Sequence, residues 1–310
     1  MTELIRKKLN DSPVARWTAM FIVSFTMMCG YFITDVMASL EVMCTAPVAE
    51  GGLGWSSSEY GFFSGAYGYI NVFLLMLFFG GIILDRCGVR FTGVMSSSLM
   101  LGGALLKWYA LSTDFGDATF LGYHLQVVLA ALGFAIFGMG AEITGITVTK
   151  VIVKWFQGKE MALAMGLQVA MARIGTAGAL ACSQPLGKAM GHVSYPVLFG
   201  AICLCVGLLA YLVYCVMDKK LDRSLEAVDS DPEERFHLRD LKLIFTNKGF
   251  WLITLLCLMF YAGVFPFLKF ATKLMIAKYH VGEEMAGLIP ACCRLVRFCS
   301  PRYSVLSTTA

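Results

Sequence analysis

Charge is scarce in this chain of 310 residues: Asp, Glu, Lys and Arg together make up 15% of it, against 58% apolar residues. With a mean hydropathy of +0.70, this balance lies outside the range of soluble globular domains. The basic residues form no stripe interleaved with aromatics, so no nucleic-acid partner is expected. They flank apolar runs instead, which makes the lipid bilayer the partner that the formal charge of +4 serves. Cysteines at paired spacing are also lacking. The 11 cysteines are scattered, many within apolar runs where a free Cys acts as a small hydrophobe, and no disulfide framework is expected. Cys292, Cys293 and Cys299 have neither zinc-ligand spacing nor a fourth ligand nearby, so no metal is assigned. The chain lacks a short apolar core followed by a cleavage site, because the run from Trp17 continues to about Leu40; it reads as a retained first helix with Met1 to Lys8 in the cytoplasm. No nucleophile–base or metal-ligand constellation is present, which excludes an intramembrane hydrolase and leaves no expected enzymatic activity or cofactor.

What the chain has is apolar length. At about 1.5 Å of rise per residue, roughly 20 residues cross the hydrocarbon. Runs of that kind predict helices at 17–40, 60–84, 91–111, 122–153, 160–187, 194–217 and 250–276, with ends soft by about 4 residues. The fold class expected is an all-α integral membrane protein. The connections after the second, fourth and sixth helices hold Asp85-Arg86-Cys-Gly-Val-Arg90, Lys154 to Glu160, and Lys219-Lys220-Leu-Asp-Arg223, whereas the opposite connections hold Glu50, Glu59, Asp114, Asp117, Lys188 and His192. This basic bias puts the N-terminus inside. The expected organisation is a cytoplasmic N-terminus (1–16), a six-helix bundle (17–217), a charged cytoplasmic linker (218–249), the start of a second bundle (250–290) and an aberrant tail (291–310). In that tail Arg294, Arg297 and Arg302 would each cost about 2.5–3.5 kcal/mol near the centre of a membrane helix, so the tail reads as the product of a truncated or frameshifted frame. Gly61, Gly65, Gly68, Gly138, Gly140, Gly145, Gly175 and Gly178 suit closely packed membrane helices.

Between the second and third helices stands Gly81-Ile-Ile-Leu-Asp85-Arg86-Cys-Gly88-Val-Arg90. Gly permits a tight turn, Asp caps a helix or pairs with Arg, and the basic residues anchor the cytoplasmic face; a generic basic turn would do the same. The pattern Gly-x-x-x-Asp-Arg-x-Gly-x-Arg resembles the loop signature of the major facilitator superfamily and stands between the helices where that family carries it. The resemblance implies two six-helix bundles, of which this chain holds the first and the start of the second. It also implies that Gly81, Asp85, Arg86, Gly88 and Arg90 act as a conformational latch, with Val89 at a position where a basic residue is often found.

Two opposite charges lie deep in the fourth and fifth helices. Glu142 stands about 12 residues from Lys154 and Arg173 about 13 from Glu160, so both lie roughly 18–20 Å from the cytoplasmic side. Ionisable residues at that depth face a partner or a water-filled cavity, and three readings are open. In the first the two pair structurally; in the second Glu142 carries a proton while Arg173 tunes it; in the third they stand apart and bind a zwitterion, Arg173 taking a carboxylate and Glu142 an ammonium group. The segments Ala141-Glu142, Trp155-Phe-Gln-Gly-Lys159-Glu160, Met171-Ala-Arg173-Ile-Gly175 and Phe265-Pro266-Phe267 resemble the lysosomal dipeptide uniporter branch of that superfamily and its bacterial relatives. That resemblance favours the third reading and implies a small-molecule substrate, with short peptides leading, moved by alternating access. Gln168 is a candidate second contact. Asp35, Lys107 and Lys269 read mainly as membrane-interface anchors, Tyr31, Tyr67, Tyr69 and Asn71 as possible cavity residues, and His124 and His192 as solvated helix ends. A non-transporting remnant or assembly subunit is the competing class, and a separately encoded second bundle would favour the carrier. The short N-terminus has no acidic dileucine-type signal, so a bacterial inner membrane is expected, or a lysosomal one if the source is eukaryotic.

Overall fold

The computed structural model describes residues 9–225 except 117 and 121, and 245–292 except 287, 290 and 291. The expected N-terminal segment up to residue 8, the core of the linker (226–244) and the tail beyond 292 lie outside the described residues.

The chain forms α1 (Pro13–Thr45), α2 (Ser57–Phe73), α3 (Met76–Ser112), α4 (Leu125–Phe156), α5 (Met161–Met190), α6 (Ser194–Leu225), α7 (Lys248–Tyr279) and the single turn α8 (Glu283–Ala286). Short 3-10 turns at Leu9–Asp11 and Val48–Glu50 lead into α1 and link α1 to α2. Pro13 starts α1 at a position where its missing N–H costs nothing. Six helices among the described residues are long and apolar enough to cross a membrane: α1, α3, α4, α5, α6 and α7.

The expected span 60–84 is not one of them, because it is broken. Here α2 ends at Phe73, Leu75 takes a left-handed backbone (φ 48°), and α3 restarts at Met76. The chain rejoins through Phe78 N–H and Phe79 N–H, both donating to Leu75 O. No Gly or Pro stands between 70 and 79 to announce the break, and the left-handed geometry costs a residue with a side chain about 1–2 kcal/mol. A second interruption falls at Gly88 (φ 75°, ψ 172°), inside what is otherwise continuous helix. That backbone region is open essentially to Gly alone, so the expected loop at 85–90 is a sharp bend between two helical stretches. At the same end of the bundle α6 runs eight residues past the expected 217, with Asp218 and Asp222 on successive turns.

The helices pair at backbone distance. A Cβ on Gly103 of α3 would lie 2.4 Å from Phe137 N, and one on Gly133 of α4 would lie 2.6 Å from Lys107 N, so each helix seats directly on the other's main chain. On the other side of the bundle α1 packs between α5 and α6, where Ser39 Oγ donates to Ala179 O at 3.4 Å and Thr26 Oγ1 donates to Gly207 O at 3.0 Å. One buried apolar cluster, around Ile33, Phe63, Phe134 and Phe137, fills the outer half; another, around Val23, Trp155, Tyr211 and Tyr214, fills the cytoplasmic half.

Outside the membrane, α2 opens on a capping box. Ser56 Oγ accepts from Glu59 N–H, and Glu59 Oε2 accepts from Ser56 N–H at 2.9 Å, an arrangement that contributes about 1 kcal/mol. The one strand pair among the described residues, Thr119–Phe120 antiparallel to Tyr123–His124, brings His124 to the same carboxylate. His124 is thus exposed, as expected for a helix end, but paired.

Candidate functional site

Helices α1, α2, α4, α5 and α7 line an open cavity of about 1220 Å³. Its width on the α2 side follows from sequence: Gly61, Ser64, Gly65 and Gly68 line it at helical spacing and project almost nothing into it. These glycines shape space, whereas Gly138, Gly140 and Gly175 sit against neighbouring backbone, as packing glycines do.

Glu142 and Arg173 both line this cavity. Among the described residues no ion pair or hydrogen bond joins them. Glu142 Oε1 accepts a hydrogen bond from the Tyr67 hydroxyl at 2.8 Å, while Arg173 is half-buried and, among the described residues, has no carboxylate on its guanidinium. Tyr31, also on the lining, lies within electrostatic reach of both. Gln168, the remaining candidate contact, is half-buried on α5 and does not line the cavity; its neighbours Gly166 and Val169 do. Five residues at 3.6 per turn rotate Gln168 about 140° away from the face that carries Arg173, and the cavity lies on the latter.

The structure corrects the reading of three charges as interface anchors. Lys269 of α7 lines the cavity, donating to Thr34 O at 2.8 Å and Asp35 Oδ1 at 3.2 Å, and Asp35 lines it as well. Lys107 is fully buried. Its ammonium donates to Ile33 O at 3.1 Å and stands 4.7 Å from the centre of the Phe134 ring, a cation–π distance. A Lys in mid-helix snorkels only when its helix face meets lipid; the face of α3 that carries Lys107 meets α4 and α1, and the face of α7 that carries Lys269 meets α1. A further pair, Lys273 with the buried Glu41 at 3.1 Å, ties α7 to α1 farther out. Sequence reading missed Glu41 because it falls at the soft end of the first span.

At the cytoplasmic end the expected latch residues take different positions. Gly81, Asp85 and Arg86 lie in helix. Asp85 pairs with Lys150 of α4 at 3.0 Å, and Arg86 is exposed. Arg90, past the Gly88 bend, reaches Asp222 at 2.6 Å and Asp218 at 3.4 Å. Lys154 joins the same two carboxylates at 2.9 Å (Asp218) and 2.6 Å (Asp222), and Trp155 Nε1 and the Tyr214 hydroxyl also donate to Asp218. The apolar run of the sixth helix hid this network, since Asp218 reads as the first residue of a solvated linker.

A helix bundle built for the bilayer, with opposed charges around a central cavity and a charged bend on one face, defines a multi-pass membrane protein of the carrier type of fold. The chain belongs to the Major Facilitator Superfamily, whose family model matches residues 7–306. Among curated relatives it is 26% identical to the lysosomal dipeptide transporter MFSD1 of Bos taurus, over 88% of this chain and 56% of that protein. It is 25% identical to MFSD1 of Homo sapiens, over 88% of this chain and 57% of that protein. The chain thus spans about half the length of the curated relatives it matches. Among solved structures, that of a D-xylose-proton symporter superposes with a TM-score of 0.60 at 12% identity, over 94% of this chain and 69% of that one, which is a likeness of fold.

Proposed function

We propose that the chain forms the first bundle and the start of the second in a carrier of small zwitterionic solutes, with dipeptides as the leading substrate class. The observation that carries this reading is that Glu142 and Arg173 share one cavity without neutralising each other. A guanidinium binds a carboxylate through two parallel N–H donors, and a carboxylate binds an ammonium group as a charge-assisted acceptor. A solute with both groups at its ends satisfies the two sites at once. The names of the animal relatives, lysosomal dipeptide transporters, support the same substrate class, and they favour a lysosomal membrane over a bacterial inner membrane.

No covalent step is asked of the chain. Alternating access requires two states of comparable free energy that the substrate rebalances. The bend at Gly88, with Asp85 and Arg90 held on either side of it, is the proposed latch between those states. The remaining helices of the second bundle, in the same polypeptide or separately encoded, complete the carrier.

Uptake of a labelled dipeptide into proteoliposomes tests the reading, with Arg173→Ala and Glu142→Gln as variants. Each is expected to reduce uptake at least tenfold. Unchanged uptake in Arg173→Ala would remove the carboxylate role and the substrate assignment with it.

A further inference from the structure

A second, smaller recess of about 300 Å³ opens beside Glu142, and Arg173 has no part in its lining. It shares Tyr31, Thr34, Tyr67 and Glu142 with the main cavity, and beyond them its walls are Met27, Leu77, Met100, Ala141 and Ile146, with Thr149 the one further polar side chain and Gly30 and Gly145 also on the lining. The two glycines keep it open. A Cβ on Gly145 would lie 3.3 Å from Met27 Cε, and one on Gly30 would lie 3.2 Å from Met100 Sδ. Thioether side chains adapt their shape to what they meet, and an apolar hole of about 150 Å³ already accepts a benzene ring.

From this geometry we infer that the recess is the subsite for the side chain of the substrate's first residue, and that the carrier selects dipeptides whose N-terminal residue is large and apolar. This rests on the assignment of Glu142 to the substrate's ammonium group. The Tyr67 hydroxyl occupies Glu142 Oε1, which leaves Oε2 for the substrate. The ammonium nitrogen of a peptide is one bond from the first Cα, so the first side chain departs next to Glu142, where the recess begins. Arg173 does not line the recess. The carboxylate end therefore points away from it, and the second side chain is left to the wide main cavity, whose glycine wall imposes little selection. Order within the dipeptide, and not composition alone, sets affinity.

Phe-Ala against Ala-Phe is the direct comparison, since the two differ only in order. Binding is read as the thermal shift of the purified full chain in detergent, across a titration of each peptide, with Ala-Ala as reference. Phe-Ala is expected to bind roughly tenfold or more tighter than Ala-Phe, the scale on which an apolar pocket discriminates. Gly145→Val, which places two methyl groups in the recess, is expected to bring the ratio of the two affinities close to one. Leu77→Trp at the exposed rim is the second variant should Gly145→Val fail to fold, and it is expected to lower the ratio likewise. If both peptides bind equally to the unaltered chain, the subsite is overturned while the dipeptide reading stands. If neither peptide nor Ala-Ala binds, the dipeptide reading itself falls and takes the subsite with it.

Discussion

The Tyr67 hydroxyl and the Glu142 carboxylate meet at 2.8 Å inside the membrane, with the Tyr67 ring packed on Phe134 and Phe137 behind it. Packing fixes the ring, and the ring fixes the carboxylate. A hydrogen bond to a charged group contributes about 1.5–3 kcal/mol, so Tyr67→Phe is expected to weaken dipeptide binding by roughly ten- to a hundredfold. Isothermal titration with one dipeptide measures this. An unaltered Kd would mean that Glu142 needs no such support.

Asp218 and Asp222 share Arg90 and Lys154 but not their surroundings: the side chain of Asp218 is 1% exposed and that of Asp222 is 29% exposed. Removing one member of a buried charge network costs about 3–5 kcal/mol, whereas a partly solvated pair contributes less. Asp218→Asn is therefore expected to lower the melting temperature of the purified protein clearly more than Asp222→Asn does. Equal losses, or the reverse order, would contradict this account of the network.

Glu59 lies on the first turn of α2, outside the membrane span. Burial pushes its carboxyl up, but hydrogen bonds from the backbone of Ser56 and His124 and from their side chains outweigh that and hold its pKa at about 2, against an ordinary 4.5. A folded pKa below the unfolded one stabilises above the unfolded value, and that contribution is lost as pH falls toward the folded value. The melting temperature of Glu59→Gln is expected to lie below that of the unaltered protein by a constant amount from pH 7 to about 5. The gap should close between about pH 4.5 and 2. A gap that widens on acidification would reverse the assignment.

Lys107 places a buried cation against a carbonyl and an aromatic face. Met fills the same volume without the charge, and replacing a buried ion by a well-packed apolar side chain is often neutral. Glu would set an anion against the Ile33 carbonyl and the electron-rich face of Phe134. Lys107→Met is expected to fold and to keep its melting temperature within a few degrees, and Lys107→Glu to fail to accumulate as a monodisperse protein. Gel-filtration profiles and thermal melts separate these outcomes. Similar behaviour of the two would show that the site does not discriminate charge.

Much of the fold is legible in the sequence, because the bilayer imposes a single strong requirement: apolar length. Five of the expected spans correspond to the continuous helices α1, α4, α5, α6 and α7, and the third lies within α3. The break at Leu75 is not legible, since an all-apolar stretch carries no local signal of where its backbone turns. In the site, depth alone puts Glu142 and Arg173 at one level, and the structure brings both to one cavity. Which face of its helix a polar residue occupies is another matter. Gln168 and Arg173 lie five residues apart, and a helical turn of 3.6 residues puts them on different faces. Lys107 and Lys269 look like snorkelling residues until the neighbours they meet are known to be other helices and not lipid, and hydropathy does not encode neighbours.

The backbone seating of Gly103 and Gly133 has a mechanical meaning. With no side chain between the two main chains there is no slack for α3 to slide on α4, so the pair behaves as one stiff beam, and Glu142 is mounted on it. Arg173 is mounted elsewhere, on α5, whose extensive partner is α1 and which touches α4 only sparingly. The gap between the two charges is thus the spacing between two separately built members, adjustable by a tilt of one against the other without bending either.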